Sequence, residues 1–391
     1  MSQRKTYRVN FGHIEVGKLG RKYLRDALDR HWVSEGPNVR LLEERFAKKF
    51  GYRYAVATSS GTDAGIVANA ALLDRGASRG DEVITPACAF VATGNSILAA
   101  GLTPKFVDIE LDTLNIDPQQ IERAVTSKTR AIQVVHTMGK PCHMEAVLDI
   151  ARRHHLFVIE DCCEAHGARL NGKVVGSFGD MALFSFYTAH IVCSAEGGMV
   201  TTPDPVFADL CRSIHTHGRR KGELFFNFDR VGFNSKMNDL EAAIGLEGLT
   251  MFDSIFRCRQ RLISRLLDQL REVESEIILY REGPGEVMCP HAFSFVLRDA
   301  QRSAQGLCRH LDQRRIEWKL LFGSLPTQHQ AFRFLGYAPG DFPVSERVGR
   351  TGVTLGIHQY LTRDDIDYVA ESILAYFRKS PHRGSKRLVS A

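Results

Sequence analysis

The stretch AIQVVHTMGKPCHMEAVLDIARRHHLFVIED, residues 131–161, decides how the chain folds. It opens with a run of apolar and β-branched residues, AIQVVHT (131–137), and closes with another, HLFVIED (155–161). Between them, residues 144–154 carry a helical pattern. Nearly continuous apolar runs suit strands buried on both faces, and such strands alternating with helices make a parallel sheet. Working outward, the same texture recurs at YAVATSS (54–60), EVITPA (82–87), KFVDIE (105–110), MALFSF (181–186) and GMVTT (198–202), with helical patterns at 62–74 and 92–100. The sequence therefore predicts an α/β fold: a mainly parallel, seven-stranded sheet flanked by helices.

After about residue 236 the texture changes. MNDLEAAIGLEGLTMFDSIFRCRQRLISRLLDQL (237–270) is one long helical pattern. Beyond it come a strand-like AFSFVL (292–297), helical residues at 301–314 and a last helix over 363–377. Thr362, followed by Asp364 and Asp365 in the first turn, suits that last helix's N-terminus. These changes place a large domain at 1–248 and a smaller α+β domain at 249–378. Residues 379–391 form a basic tail expected to be disordered.

Composition narrows the function. The chain has 391 residues, Lys+Arg 51 against Asp+Glu 45, 44% hydrophobic and 25% charged residues. That excludes wholesale disorder, and scattered Gly and Pro exclude collagen. No heptad run is sustained, and no stretch approaches the ~20 apolar residues of a membrane helix. The start, MSQRKTYRVN, has no apolar core of a secretory signal, so a cytoplasmic address is expected. The net charge of +6 concentrates in the tail, and no basic stripe points to nucleic acid. The nine cysteines have no CxxC spacing, and no metal site is expected. Adjacent Cys162 and Cys163 point to opposite faces of an extended chain and suit no common metal.

Four segments carry polar groups at strand ends. SSGTDA (59–64) joins a strand to a helix; Gly61 lets the backbone approach a ligand, Thr62 can cap, and the first-turn amides suit an anion. A plain strand–helix turn has the same sequence. VIEDCCEAHGA (158–168) puts Asp161 at a strand's carboxyl end, either as partner of a cationic nitrogen or as a loop acid. SFYTAHIVCSAEGG (185–198) places Ser185 and His190 beside a strand end. GFNSKMNDLEAAIGL (232–246) leaves Asn234 in a loop before a helix.

The order and spacing of these four resemble the sugar aminotransferase family of the DegT, DnrJ, EryC and StrS proteins. The resemblance runs from WVSEGPNVRLLEERFAKKFG (32–51), through SSGTDA and ACAFVATGNSILAAGLTPKFVDIELDTLNID (87–117), to DFPVSERVGRTGVTLGIHQYLTRDDIDYV (341–369). It implies a fold-type I pyridoxal-phosphate-dependent transferase acting on nucleotide-linked keto sugars. By that resemblance Phe90 stacks on the cofactor ring and Asp161 pairs with the ring nitrogen. The backbone of Gly61 and Thr62, with the Ser185 hydroxyl, holds the phosphate. Asn234 reaches it from the neighbouring subunit of a homodimer with shared sites. Glu164 stands where the family often has Gln near the phenolic oxygen, and His166 follows the family's AHG pattern.

One residue departs from the family pattern. The motif approximates SFYPTKN…EGG, and its Lys bonds the cofactor covalently. Counting from Ser185 or back from Gly197, that position is His190. An imidazole forms no stable imine, so the resemblance now implies a non-covalently held cofactor favouring pyridoxamine 5′-phosphate, with His190 as proton-transfer base. A branch of the family carries this histidine: 3-dehydratases of nucleotide 4-keto-6-deoxyhexoses. KLLFGSLPTQHQAF (319–332) and GIHQYLT (356–362) resemble their RLLFAGN and GIYPGLT segments. Residues 212–257 contain no cysteine, where iron–sulfur members cluster theirs. The chain thus resembles the cluster-free GDP-4-keto-6-deoxy-D-mannose 3-dehydratases, which release ammonia and recover the amine cofactor from L-glutamate. Another lysine-free transformation such as amine transfer, or a binding protein of the same fold, are the alternatives. His215, His217, Arg219 and Arg220 make a polar patch that either meets the sugar diphosphate or is a solvated loop.

Overall fold

The computed structural model describes residues 7–220, 222 and 227–379. The tail expected over 379–391 lies outside the described residues from position 380 onward. Seven strands form the large sheet: β1 (Tyr54–Thr58), β2 (Glu82–Pro86), β3 (Thr103–Val107), β4 (Thr129–Val135), β5 (Phe157–Asp161), β6 (Met181–Ser185) and β7 (Gly198–Thr202). Their order is β1-β7-β6-β5-β4-β2-β3. All neighbours are parallel except β7, which runs antiparallel to both β1 and β6. Each of the seven apolar runs overlaps one of these strands; the inner strands are buried on both faces and need no alternation, whereas edge strand β3 leaves Thr103 and Lys105 part-exposed.

Helices α1 (Lys18–Asp29), α2 (Pro37–Phe50), α3 (Gly61–Ala71), α4 (Val91–Ala99), α5 (Pro118–Ala124), α6 (Met144–His154) and α7 (Pro205–Ile214) accompany the sheet. One core joins Val56, Leu183 and Val200 to Val67 of α3, Ile97 of α4 and Phe207 of α7. On the other face Phe46 of α2 meets Phe184 and Phe186 at ring distances of 5.0 and 5.5 Å. All three rings are fully buried, and truncating any of them to alanine costs about 3–5 kcal/mol.

The long helix α8 (Asp239–Gln269) starts where sequence chemistry puts it: Asn238 caps the amides of Leu240 and Glu241. It runs uninterrupted past residue 248. Leu246 and Phe252 sit in the core beneath the large sheet, and Leu262 and Leu266 in a second core. That second core lies against an antiparallel sheet of β8 (Ile277–Leu279), β9 (Ala292–Leu297), β10 (Trp318–Leu320) and β11 (Gly352–Gly356), ordered β8-β9-β11-β10. Helices α9 (Gln305–Gln313), α10 (Leu325–Gln328), α11 (Pro343–Thr351) and α12 (Arg363–Lys379) complete this part. The expected start of α12 holds: Thr362 accepts from the Asp365 amide and Asp365 accepts from the Thr362 amide. Among the described residues no helix is long and apolar enough to cross a membrane.

Candidate active site

The parallel strands end at one edge of the large sheet, where ligands of open α/β sheets gather. A cleft of about 380 Å³ opens there, between that edge and the second sheet. Seven of the eight site residues expected from sequence line it: Gly61, Thr62, Phe90, Asp161, Glu164, Ser185 and His190.

Gly61 and Thr62 form the first turn of α3. Its N-cap is Ser60, not Thr62: Ser60 Oγ accepts from the Asp63 amide at 3.0 Å. Asp63 in turn accepts from Ser60 Oγ and from the Ser235 hydroxyl at 2.9 and 3.1 Å. Ser60 wins because it lies three residues before an acid, the spacing of a capping box. The amides of Gly61 and Thr62 have no partner among the described residues, and they face the cleft beside Ser185. A Cβ on Gly61 would lie 2.6 Å from Ser185 Cβ, and one on Gly198 would lie 2.3 Å from the Ser60 carbonyl. Only glycine lets the helix start, the end of β6 and the start of β7 approach this closely.

Asp161 ends β5 and is part-buried. It accepts from the Cys163 amide at 3.1 Å and from the Thr93 hydroxyl at 3.3 Å. Burial raises its pKa above the ordinary carboxylate value, and those hydrogen bonds pull the other way. No ion pair neutralises it among the described residues. Phe90, at the N-cap of α4, is 58% exposed at the cleft mouth. Glu164 accepts from the Met138 amide at 2.7 Å. Burial pushes its pKa up to about 7, with the charge of Asp161 adding to the rise.

His190 sits in the loop between β6 and β7, its amide bonded to the Tyr187 carbonyl at 2.9 Å. Its Nδ1 is buried and without a hydrogen-bond partner. Two further imidazoles stand close to it: the His166 ring lies 5.7 Å from that of His190 and the His291 ring 4.9 Å from it, each tilted by about 30°. Burial, then the neighbouring imidazoles, holds the His190 pKa well below its ordinary value. Burial brings His166 and His291 down to about 3. His190 is therefore a neutral imidazole on the cleft wall, the protonation state a proton acceptor needs.

Asn234 does not line this cleft. It is exposed, and its Oδ1 takes the Lys236 ammonium. The His215–Arg220 patch does not line it either. His215 is buried with Nδ1 against the Cys211 and Arg212 carbonyls, and Arg220 pairs with Asp229 at 2.8 Å. Cys162 faces the core and Cys163 the cleft, as their adjacency requires. Cys162 stands with His136 and Glu160 in a buried group of ligand type. Glu160 is already consumed there, accepting from His136 and from the amides of Gly176, Phe178 and Gly179. His291, Lys319, Phe11 and Phe322 also line the cleft and were not foreseen. Lys319 begins the KLLFG segment, the one local signal that could have found it; His291 has none.

This donor set fits a phosphorylated pyridine. An anion cradle of free amides and a hydroxyl shares the cleft with a carboxylate that lacks a cation, an aromatic ring and a neutral imidazole. The chain matches the DegT/DnrJ/EryC1/StrS aminotransferase family over residues 15–374. It belongs to that family. A 3-dehydratase of dTDP-4-dehydro-2,6-dideoxy-D-glucose from Saccharopolyspora spinosa is 35% identical to this DegT-family chain, over 89% of it and 82% of the relative. GDP-perosamine synthase of Escherichia coli O157:H7 is 32% identical over 91% and 95% of the two chains. The E. coli GDP-4-keto-6-deoxy-D-mannose 3-dehydratase structure with hydrated pyridoxal phosphate superimposes with TM-score 0.86 at 28% identity, over 94% of this chain and all of that one. Like its family, this enzyme uses pyridoxal or pyridoxamine 5′-phosphate.

Proposed function

We propose that this DegT-family enzyme is a pyridoxamine-phosphate-dependent 3-dehydratase of a nucleotide-linked 4-keto-6-deoxyhexose, without an iron–sulfur cluster. The observation that carries the reading is His190, an imidazole held neutral on the cleft wall where the family has its lysine. The amides of Gly61 and Thr62 and the Ser185 hydroxyl would hold the cofactor phosphate. Asp161 would pair with the ring nitrogen and Phe90 would cover the ring. Glu164 would face the phenolic oxygen. When bound, the cofactor supplies an amine for the sugar C4 ketone and a ring that withdraws electrons. His190 would be the group that moves the proton, accepting it on the cofactor side and delivering it to the departing C3 oxygen. Phe11 and Phe322, which line the same cleft, would keep water away from this transfer. L-glutamate would restore the amine form, and Asn234 would complete the phosphate site from the partner in a homodimer.

Amine transfer is the second reading, favoured by the names of relatives such as the perosamine synthases. It lacks a lysine at 190, and Lys319 is the lysine that lines the cleft. Ammonia release separates the two. Enzyme loaded with pyridoxamine phosphate is mixed with a panel of nucleotide 4-keto-6-deoxyhexoses without a reductase. Ammonia with one sugar supports the dehydratase and names the substrate. An amino sugar without ammonia supports amine transfer. His190→Asn should abolish C3–O cleavage while keeping cofactor binding; undiminished turnover refutes the base.

A further inference from the structure

Arg259, in the middle of α8, is 2% exposed and has no carboxylate partner among the described residues. A buried charge without a counter-charge is costly unless its donors are satisfied and its charge has a use. Its donors are occupied by the active-site backbone. Nη1 reaches the Ala189 carbonyl at 3.2 Å and the His291 carbonyl at 3.4 Å. Nη2 reaches the His190 carbonyl at 3.4 Å and Gln359 Oε1 at 3.3 Å. Each bond is long, yet together the planar fork joins three segments distant in sequence: the His190 loop, the residue before β9 and the loop after β11. None of these segments bonds the other two through a side chain.

We infer that Arg259 is a positioning residue for the catalytic base: its guanidinium ties the backbone of His190 to that of His291 and to the Gln359 side chain. Its charge acts on the imidazoles of His166, His190, His291 and His358 in the same direction as burial, which is the larger cause at each. Other groups around His190 are Tyr187 on its own loop, Lys319 on β10, and Glu164, Asp161 and Glu196 on the cleft wall. Lys319 acts in the same direction as Arg259. Glu164 offsets it least when it carries its proton. The guanidinium itself, lowered to about 10 by burial, stays charged at neutral pH.

The inference deepens the reading of His190 as base, and its test separates from that reading. The full chain is labelled with ¹³C at histidine Cε1, and His190 is assigned by its loss in His190→Asn. In the wild type the His190 resonance should be one narrow line. Arg259→Met removes the fork and should broaden or shift that line. A wild-type line in folded Arg259→Met overturns the positioning role. Should that variant not fold, Arg259→Lys keeps the charge without the fork. It should leave His190 unprotonated but broaden its resonance, and lower kcat about tenfold with KM unchanged. A wild-type line width and kcat in Arg259→Lys overturn the positioning role. The resonance measurements need no turnover, so a failed dehydratase assay leaves them decisive.

Discussion

Gly61→Ala isolates the anion cradle. The backbone at Gly61 is not left-handed, so the added methyl is the whole perturbation. That methyl would lie 2.6 Å from Ser185 Cβ, 3.0 Å from its Oγ and 3.2 Å from its Cα. Carbon atoms rest at about 3.5–4.0 Å, so the start of α3 and the end of β6 must separate by roughly 1 Å. Ser185 cannot swing aside alone, because β6 is held between β5 and β7. Overpacking of this kind costs about 1–3 kcal/mol of stability. A shift of about 1 Å also breaks a charge-assisted bond to the phosphate, worth about 1.5–3 kcal/mol. Cofactor affinity should then fall about ten- to a hundredfold. Calorimetric titration with pyridoxamine phosphate reads the affinity, and thermal unfolding without cofactor reads the stability. Adding Ser185→Gly removes the two nearest contacts and leaves only the 3.2 Å approach to its Cα, so the double variant should recover part of the stability but not the affinity. An unchanged affinity and melting temperature in Gly61→Ala, or a double variant no more stable than the single one, refutes the close approach.

Two pH effects follow from the buried groups of the cofactor-free enzyme. Glu164, raised to about 7, holds a proton in the folded chain that the unfolded chain has already released. Stability should therefore decline as pH rises from about 4.3 to 7, by roughly 4 kcal/mol at most. Glu164→Gln should erase that slope and melt higher than wild type at pH 8; parallel curves would refute it. His291, lowered to about 3, has the opposite sign. The unfolded chain binds its proton first, so stability is lost as pH falls below about 6.5. His291→Gln should flatten the acid side of the stability curve between pH 6 and 4, and a curve as steep as wild type would contradict that burial.

The large sheet was legible because buried parallel strands announce themselves as short apolar runs. Each of its seven strands overlaps one of the runs expected, though Thr103–Val107 and Thr129–Val135 start two residues earlier. Of the second sheet only Ala292–Leu297 was read from sequence. Strands Ile277–Leu279 and Trp318–Leu320 have three residues each, too few for alternation to register. His291 and Lys319 follow the same logic. They enter the cleft because that second sheet packs over the first, a long-range arrangement with no local signature. Arg259 was invisible for another reason: it looks like any polar position on a long helix until its fork is seen spanning three carbonyls. At the start of α3 the sequence did hold the answer, since Ser60 and Asp63 have capping-box spacing. Thr62 is nearer the helix and competes for that role by residue type alone.

Helix α8 has a mechanical consequence. At 1.5 Å per residue its 31 residues make a rod of about 46 Å. Its first half is a wall of one core and its second half a wall of the other. Neither core can melt while the other stays intact without unwinding half of a shared rod. Helix unwinding that starts at an interior point leaves two new ends with unpaired backbone groups. Heat should therefore take the chain apart in a single calorimetric transition rather than two. A destabilising change at Leu266 should lower the melting point of the distant cleft as surely as one at Leu246.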